Sequence, residues 1–411
     1  MVAKYLLPGL CFLSCAALGD IMDDFFPGYA NPTRSSWQDN FHFSTSDYTF
    51  TMANDAIFGS TDRYFTNGVW GSWSDPLDQY VYLTEDNQVH LIEDEALLQD
   101  AEFQRDPLLM FHGMTLGQHM YTPSDIRLRP ADASQYDRPY AGYLYVSFDT
   151  SLHSSDQVDY HSWAVGCVGP CSGADSKQTW AHEELSPSSP KPRGWSTQVK
   201  NQPAIQFARS RYHYQDFSLP FLPQTSGGTF WELEYGSVFN RAGAGVHTVI
   251  TLAGHRDCSA TGYNLPESTG RIPKDRNGGA GAKQQVIKPF CKPYDQHLSL
   301  YASAGFKGVL SNTLIEGGIH TDDGVIRHKA APLFTELKTG LEWQMSDYVA
   351  VSASYVVRSP EVDDEGYVWN KHRWGEASLT VRDIGPWGIA LTALLLEGIV
   401  AYKSGDEDTD D

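Results

Sequence analysis

The stretch YVAVSASYVV, residues 348–357, decides the fold class because its side chains change character at every second position. One set of positions carries valine and tyrosine, and the other carries mostly small and polar residues. A period of two is that of a β-strand whose two faces meet different surroundings. The pattern predicts a strand and leaves two sheet architectures open, a membrane barrel and a soluble β-sandwich.

The same period recurs along the chain in short segments that are bounded by turn residues. About a dozen segments fit it, among them DYTFTMAND (47–55), LMFHGMTLGQHMY (109–121), AGYLYVSFDT (141–150), AIQFARSRYHY (204–214), FWELEYGSVF (230–239), HLSLYASAGF (297–306) and GEASLTV (375–381). The sequence therefore predicts an all-β protein. Aromatic residues make up 13% of the chain, which suits rings at membrane interfaces but also suits a sandwich.

The first 19 residues predict a signal peptide, which favours the membrane barrel. A positive start at Lys4 precedes an apolar run too short to span a bilayer, and small residues lie before Asp20. Residues 20–46 are expected to form an N-terminal extension, residues 47–402 the barrel and residues 403–411 an acidic tail. The apolar run 387–402 alternates poorly and fits either a strand or a helix.

Charge and cysteine content restrict the partners and the compartment. The net charge is −21, from 51 acidic and 30 basic residues, which argues against a nucleic-acid partner because phosphate binding needs a basic face. Export to an oxidising compartment predicts two local disulfides, Cys167–Cys171 and Cys258–Cys291, with four unpaired thiols or thiolate metal ligands as alternatives. Residues 256–295 are expected to form a long loop.

Polar residues gather in and after the first strand segment, where Asn54, Asp55 and Thr66 occur close together. A carboxylate beside an amide offers the oxygen ligands that calcium prefers. An Asn-Asp turn followed by an Arg63–Asp62 ion pair is the simpler alternative, because turns commonly use these residues.

The segment SGADSKQTWAHEEL, residues 172–185, predicts a helix that Ser172 or Asp175 can cap. Gln178 and His182 stand four residues apart and therefore share one face of it. A histidine on a helix over a barrel mouth can act as a general base, although a lone histidine is more often a packing residue. The chain has neither the second histidine of a zincin motif nor a G-x-S-x-G elbow.

Arginines form a third polar cluster. Arg127, Arg129 and Arg138 can contact phosphate groups through their planar guanidinium groups. The alternative is that Arg138 pairs with a nearby acid and that Pro139 begins a strand.

Six motifs, taken in order, resemble those of the lipid A 3′-O-deacylases of Gram-negative outer membranes: NDAIFGSTDRYFTNG (54–68), MYTPSDI (120–126), DRPYAGYLY (137–145), GCVGP…KQTWAH (166–182), GWSTQ (194–198) and LIEGG (314–318). The resemblance runs from about residue 47 to residue 381. It implies an antiparallel transmembrane β-barrel of twelve strands with a short helix in an extracellular loop, in the bacterial outer membrane. It also implies calcium as the cofactor and lipid A or lipopolysaccharide as the substrate. The protein is expected to be a monomer.

The resemblance also implies roles for individual residues. Asp55 would hold calcium, which stabilises the oxyanion, and His182 would take a proton from the water that attacks the ester. Asn54 and Thr66 would shape the site, and Gln178 would orient water or lipid.

Two departures from the family pattern concern Leu128 and the end of the chain. Leu128 stands where the family carries a lysine after Tyr-Thr-Pro, and a slip of one residue would bring Arg127 or Arg129 into that role. Outer-membrane barrels usually end on an aromatic residue, whereas nine residues follow Tyr402 here. The alternative functions are an inactive barrel with a structural or binding role and an esterase that acts on other membrane lipids.

Overall fold

The structure is a computed structural model that describes residues 47–55, 57, 64–83, 89–92, 108–153, 157–219, 222–254, 296–318, 326–346, 349–363 and 372–382. The predicted signal peptide, N-terminal extension, acidic tail, 256–295 loop, Cys258–Cys291 disulfide and 387–402 segment lie outside these residues.

The described residues form fourteen strands in one sheet. The strands are β1 Asp47–Asn54, β2 Tyr64–Leu83, β3 Val89–Ile92, β4 Leu108–Thr122, β5 Ala141–His153, β6 Gln157–Val168, β7 Gln202–His213, β8 Gln215–Leu219, β9 Leu222–Gly236, β10 Phe239–Gly254, β11 His297–Asn312, β12 Leu333–Ser346, β13 Val349–Arg358 and β14 His372–Arg382.

Twelve of these strands close into an antiparallel barrel. Each pairs with its neighbours in the chain, except that β3 and β8 lie outside the ring and pair with β2 and β9. The ring closes because β1 pairs with β2 on one side and with β14 on the other. The prediction of a twelve-stranded antiparallel barrel is therefore confirmed.

The two faces of β12 show which side of the wall meets lipid. Leu333, Leu337, Leu341 and Trp343 are exposed on the outside, while the alternate residues point inward and are more buried. The inward set includes charged side chains such as Glu336, and the barrel interior contains ion pairs between strands that are adjacent or separated by one strand. These are Arg241–Glu234, Lys307–Glu232, Lys338–Glu376 and Arg358–Glu336.

A soluble sandwich would bury the leucines and expose the charges, so this arrangement is that of a membrane barrel. The four ion pairs compensate these charges inside the barrel, where an unpaired ion would be costly. Among the described residues, no helix has the length and apolar character needed to cross a bilayer.

Short helices lie in the connections at one end of the barrel. They are α1 Ala174–Trp180, which continues into a single π-turn at Ala181–Leu185, and α2 Thr313–Glu316. The predicted helix is confirmed, but the prediction that Ser172 or Asp175 caps it is wrong. Gly173 occupies the N-cap in the left-handed conformation (φ 67°), because the chain has to turn sharply out of the 3-10 turn at Pro170–Ser172.

One predicted strand is also divided. FWELEYGSVF covers the end of β9, a tight turn at Ser237 and Val238, and the start of β10. Side chains fix this turn: Gln206 Oε1 accepts from the backbone N–H of Val238 (3.2 Å), and Asn240 Oδ1 accepts from that of Gly236 (3.1 Å). The alternation of apolar and polar residues continues through the turn, so the sequence pattern alone could not show where β9 ends and β10 begins.

Candidate active site

The predicted site residues lie at one end of the barrel. β1 ends and β2 begins there, β4 connects there to β5, and β6 connects there to β7. This end is opposite to the one where β1 starts and β14 finishes. The up-and-down topology therefore brings together residues that are more than a hundred positions apart in the sequence.

The Asn54–Asp55 pair marks the point where β1 ends. Asn54 is the last paired residue of the strand, opposite Asn67 of β2, and Asp55 begins a turn in which the Ile57 N–H donates to the Asn54 carbonyl (3.4 Å). The Asp55 carboxylate is nevertheless buried, with 3% of the residue exposed. The turn and the buried carboxylate are both present, while the predicted Arg63–Asp62 pair lies outside the described residues.

Thr66 is the extra residue of a β-bulge. The pairing of β2 with β4 skips it, since Phe65 lies opposite Tyr121 and Asn67 lies opposite Met120. Tyr64, two residues earlier, has a left-handed backbone (φ 70°), which is rare for a residue with a side chain. Bulges and strained residues concentrate at functional sites, because they re-aim side chains. The buried Thr66 hydroxyl bonds to the hydroxyl of Thr122, the last residue of β4.

Helix α1 is held tightly over the ends of β4 and β5. Gln118 of β4 donates to the Ser172 carbonyl (2.6 Å), just before the helix. Gly142 allows the close approach, because a Cβ there would lie 2.0 Å from Ser172 Oγ and 2.6 Å from the Ala174 Cβ. β4 therefore connects the bulge at Thr66 with the helix α1. Its Thr122 bonds to Thr66, and its Gln118 bonds to the segment that leads into the helix.

Gln178 and His182 share the inner side of this helical segment. They are 3% and 7% exposed, whereas Trp180 between them is 52% exposed. His182 lies in the π-turn, where the Ser186 N–H bonds to the Ala181 carbonyl (3.0 Å). Single π-turns are frequently found at functional sites. The prediction that the two residues share one face agrees with this geometry.

Trp195 is a buried site residue to which the sequence analysis gave no role. It belongs to the GWSTQ motif, and its indole N–H donates to Gln178 Oε1 (2.7 Å). Its ring packs on Tyr140 with a centroid distance of 5.0 Å. The motifs DRPYAGYLY, KQTWAH and GWSTQ thus meet at this contact. Their joint presence was the only indication in the sequence that Trp195 belongs to the site.

The three predicted phosphate-binding arginines have different environments. The Arg127 side chain is 69% exposed and pairs with Asp125 (2.8 Å), and Arg129 is exposed. Arg138 is buried; its side chain stacks over Tyr121 (4.6 Å) and lies 3.9 Å from Glu361. This geometry matches the alternative in which Arg138 pairs with an acid, while phosphate binding by the three arginines stays a prediction.

Glu361 joins a buried polar chain that reaches the bulge. It contacts Arg358 at 2.8 Å and His372 Nδ1 at 3.6 Å, and His372 Nε2 accepts from the Phe65 N–H (2.7 Å). Because a backbone N–H can only donate, Nε2 carries no proton and the ring proton is on Nδ1, towards Glu361. Burial alone would raise the pKa of Glu361, but Arg358 and the other cationic neighbours hold it well below its usual range. Burial lowers the pKa of Arg138.

Leu128 packs into an apolar cluster beneath the helix with Met120, Tyr136, Tyr140, Ala174 and Trp195. The arginines on either side of it are exposed, so neither points into this cluster. Nearby, the predicted Cys167–Cys171 disulfide is confirmed; it closes the turn that leads into the helix.

The residue types at the end of β1 and on the strands beside it suit a hard cation. Asp55 is a buried carboxylate, and the residues at the adjoining ends of β1, β2 and β4 include the Asn54 amide and the Thr66 and Thr122 hydroxyls, all oxygen donors of the kind calcium takes. Within the described ranges, no three histidine, cysteine or carboxylate side chains gather into a metal site. A calcium ion held by Asp55 would therefore complete its shell with amide, hydroxyl or backbone oxygens, water or substrate.

A closed twelve-stranded barrel with an apolar outer face and a charged interior is an outer-membrane β-barrel, and the candidate residues lie at one of its ends. The chain belongs to the family described as outer membrane protein LpxR, whose family model matches residues 13–382. The protein is accordingly located in the bacterial outer membrane. A comparison of the sequence with curated proteins finds no match.

One solved structure supports the same fold. The chain is similar to LpxR from Salmonella typhimurium, with a TM-score of 0.54 and 15% identity over 82% of this chain and 99% of that chain. It is also similar to the beta domain of the Bordetella autotransporter Brka, with a TM-score of 0.33 and 10% identity over 82% of this chain and 98% of that chain.

Proposed function

We propose that this protein is an outer-membrane esterase that removes the 3′-linked acyloxyacyl chain of lipid A. The observation that supports it most directly is the burial of Asp55, Thr66, Gln178 and His182 at one end of a barrel of this family. Burying polar side chains is costly unless they have partners or a function. Their agreement with the deacylase motifs supports lipid A as the substrate of this site.

In the proposed mechanism, His182 is the general base. Its unprotonated ring nitrogen takes a proton from water, and the resulting hydroxide attacks the ester carbonyl carbon. The tetrahedral intermediate then collapses with cleavage of the bond between that carbon and the sugar oxygen, which takes the proton from His182 and leaves as a hydroxyl group. Asp55 would hold calcium, with Asn54 and Thr66 shaping the site around it. When bound, calcium supplies positive charge close to the carbonyl oxygen, where negative charge develops. The packed helix and the bulge keep these side chains in place before the substrate arrives.

Leu128 favours a second candidate, an outer-membrane barrel that binds lipid without hydrolysing it. The family lysine is replaced by an apolar side chain that belongs to the cluster beneath the helix. In this alternative the site binds the lipid and the cation, and no ester is cleaved. A third candidate is an esterase of the same site that acts on glycerophospholipids.

Purified protein in detergent with calcium distinguishes these candidates. Lipopolysaccharide and a glycerophospholipid are offered in the same detergent, and released acyl chains are identified by mass. The wild type should release the acyloxyacyl chain from lipopolysaccharide only, and His182→Ala should release none. His213→Ala is the matched control, because His213 is exposed at the far end of β7. Lipid binding without release would favour the binding barrel, and release from the glycerophospholipid alone would favour the third candidate.

A further inference from the structure

We propose that Trp195 is a positioning residue that fixes the Gln178 carboxamide, so that its N–H group donates a hydrogen bond to an oxygen of the lipid substrate. The inference rests on the proposed function. It assigns an orientation to the Gln178 carboxamide, which the sequence motifs alone do not give. The contact behind it is the 2.7 Å hydrogen bond between the Trp195 indole N–H and Gln178 Oε1.

The chemistry of the two groups settles which end of the carboxamide faces the tryptophan. An indole nitrogen only donates, so the atom it contacts has to be the carboxamide oxygen. The Gln178 nitrogen then points the other way. Gln178 is 3% exposed, and its Nε2 has no hydrogen-bond partner among the described residues. A buried donor without a partner is unfavourable, so its presence points to a ligand that accepts from it.

Trp195 is well suited to hold this orientation because it has little freedom to move. Its indole packs on Tyr140, and the next turn is fixed by the Val199 N–H, which bonds to the Tyr140 carbonyl (2.9 Å). Gly194 allows the contact, since a Cβ there would lie 2.2 Å from the Tyr140 ring and 2.4 Å from the Tyr136 hydroxyl. The tryptophan is therefore a rigid support for the glutamine.

A donor at Gln178 suits an acceptor other than the attacking water. His182, four residues along the helical segment, accepts a proton from that water in the proposed mechanism. A donor on the water oxygen would compete for the lone pair that has to attack. An ester or phosphate oxygen of the glycolipid carries negative charge or gains it during the reaction, and it accepts this N–H without such competition. The Gln178 amide thus binds the lipid.

Nitrogen-15 NMR of the indole and carboxamide groups tests the contact without relying on activity. Trp195→Phe should remove one indole signal and so assign it. Gln178→Met should move that signal upfield, because the acceptor is lost, whereas Gln178→Glu should leave it downfield, because a carboxylate still accepts. Added lipid A should shift the Gln178 carboxamide signals, which Gln178→Met assigns. An indole signal that ignores Gln178→Met, or carboxamide signals that ignore lipid A, would overturn the proposal.

Kinetics test whether Trp195 acts through Gln178. We expect Trp195→Phe to lower kcat/KM roughly tenfold, the effect of one hydrogen bond. Gln178→Glu should lower kcat/KM at least as much although it keeps the tryptophan contact. In a Gln178→Met background, Trp195→Phe should change kcat/KM by less than about twofold, since the two act as one unit. Losses that multiply would assign Trp195 a merely structural role and overturn the proposal.

Trp180→Phe is the matched control, because Trp180 is exposed on the same helix and should have wild-type kinetics. The change in electrophoretic mobility on heating reports whether each variant has a folded barrel. A wild type that hydrolyses no lipid A would refute the proposed function, and the NMR signals would still decide whether Trp195 orients Gln178 towards bound lipid.

Discussion

Replacing Glu361 should destabilise the barrel more than replacing Arg138, although the two form one buried pair. The Arg138 side chain is 2% exposed, and Glu361 at 3.9 Å is its ion-pair partner among the described residues. Glu361 has a second and closer partner, Arg358 at 2.8 Å. Glu361→Gln therefore leaves the Arg138 cation buried without an anion, while Arg138→Met leaves Glu361 paired.

The magnitudes follow from these contacts. Leaving a buried charge uncompensated costs about 3–5 kcal/mol, which is the expected loss for Glu361→Gln. At 3.9 Å the Arg138–Glu361 attraction is roughly 4 kcal/mol at an effective dielectric constant of 20. Most of it is cancelled, since removing Arg138 also removes a desolvation cost of several kcal/mol. With the lost stacking on Tyr121, Arg138→Met should cost about 1–2 kcal/mol.

Urea unfolding of the refolded barrel in lipid vesicles measures both free energies. Glu361→Gln removes the anion that faces both Arg138 and Arg358, whereas Arg138→Met keeps the Glu361–Arg358 pair, so the difference reports the cost of withdrawing that shared anion. Equal losses, or a larger loss for Arg138→Met, would refute the reasoning. An Arg138→Met variant that keeps wild-type stability but binds lipopolysaccharide more weakly would instead support the phosphate-binding role predicted from the sequence.

Three further predictions concern packing, pH and calcium. Gly142→Ala should lower the unfolding free energy by about 1–3 kcal/mol, because its Cβ would meet Ser172 Oγ at 2.0 Å. Gly71→Ala is the control and should be nearly neutral, because nothing lies within 4 Å of a Cβ there. Equal losses of unfolding free energy would contradict the close packing of Gly142 against Ser172. Because the pKa of Glu361 is lowered, its stabilisation is complete above its ordinary value of 4.5 and is lost as the pH falls through the lower folded-state value. The unfolding free energies of wild type and Glu361→Gln should therefore converge in acid, and parallel pH curves would refute this. A chelator should abolish ester hydrolysis, and added calcium should restore it. Asp55→Asn should raise the calcium concentration needed for half-maximal rate by roughly tenfold or more. A hydrolysis rate that changes neither with the chelator nor with Asp55→Asn would exclude calcium as the cofactor.

The sequence predicts the barrel because alternation is a local property. Each strand shows it within about ten residues, and YVAVSASYVV lies almost entirely within the strand Val349–Arg358. The lipid-facing side is not local, since it depends on which face closes around the interior. The structure shows which face meets lipid, because Leu337 and the other outward leucines are exposed and the charged side chains lie inside.

The site is less predictable than the fold because its contacts cross the barrel. Gln178 and His182 follow from helical spacing, but the bulge at Thr66 depends on how β2 and β4 pair. Glu361 follows Arg138 by more than two hundred residues, and no local pattern pairs them. Trp195 was visible only as part of a motif, and its role emerges from its hydrogen bond to Gln178.

Mass spectrometry of lipid A from a Gram-negative host that expresses this chain tests the central claim most directly. Host cells with the His182→Ala variant at the same outer-membrane level are the control. The proposed function predicts a lipid A that is lighter by one acyloxyacyl group with the wild type and unchanged with the variant. Unchanged lipid A in the presence of correctly folded wild-type barrel would contradict it.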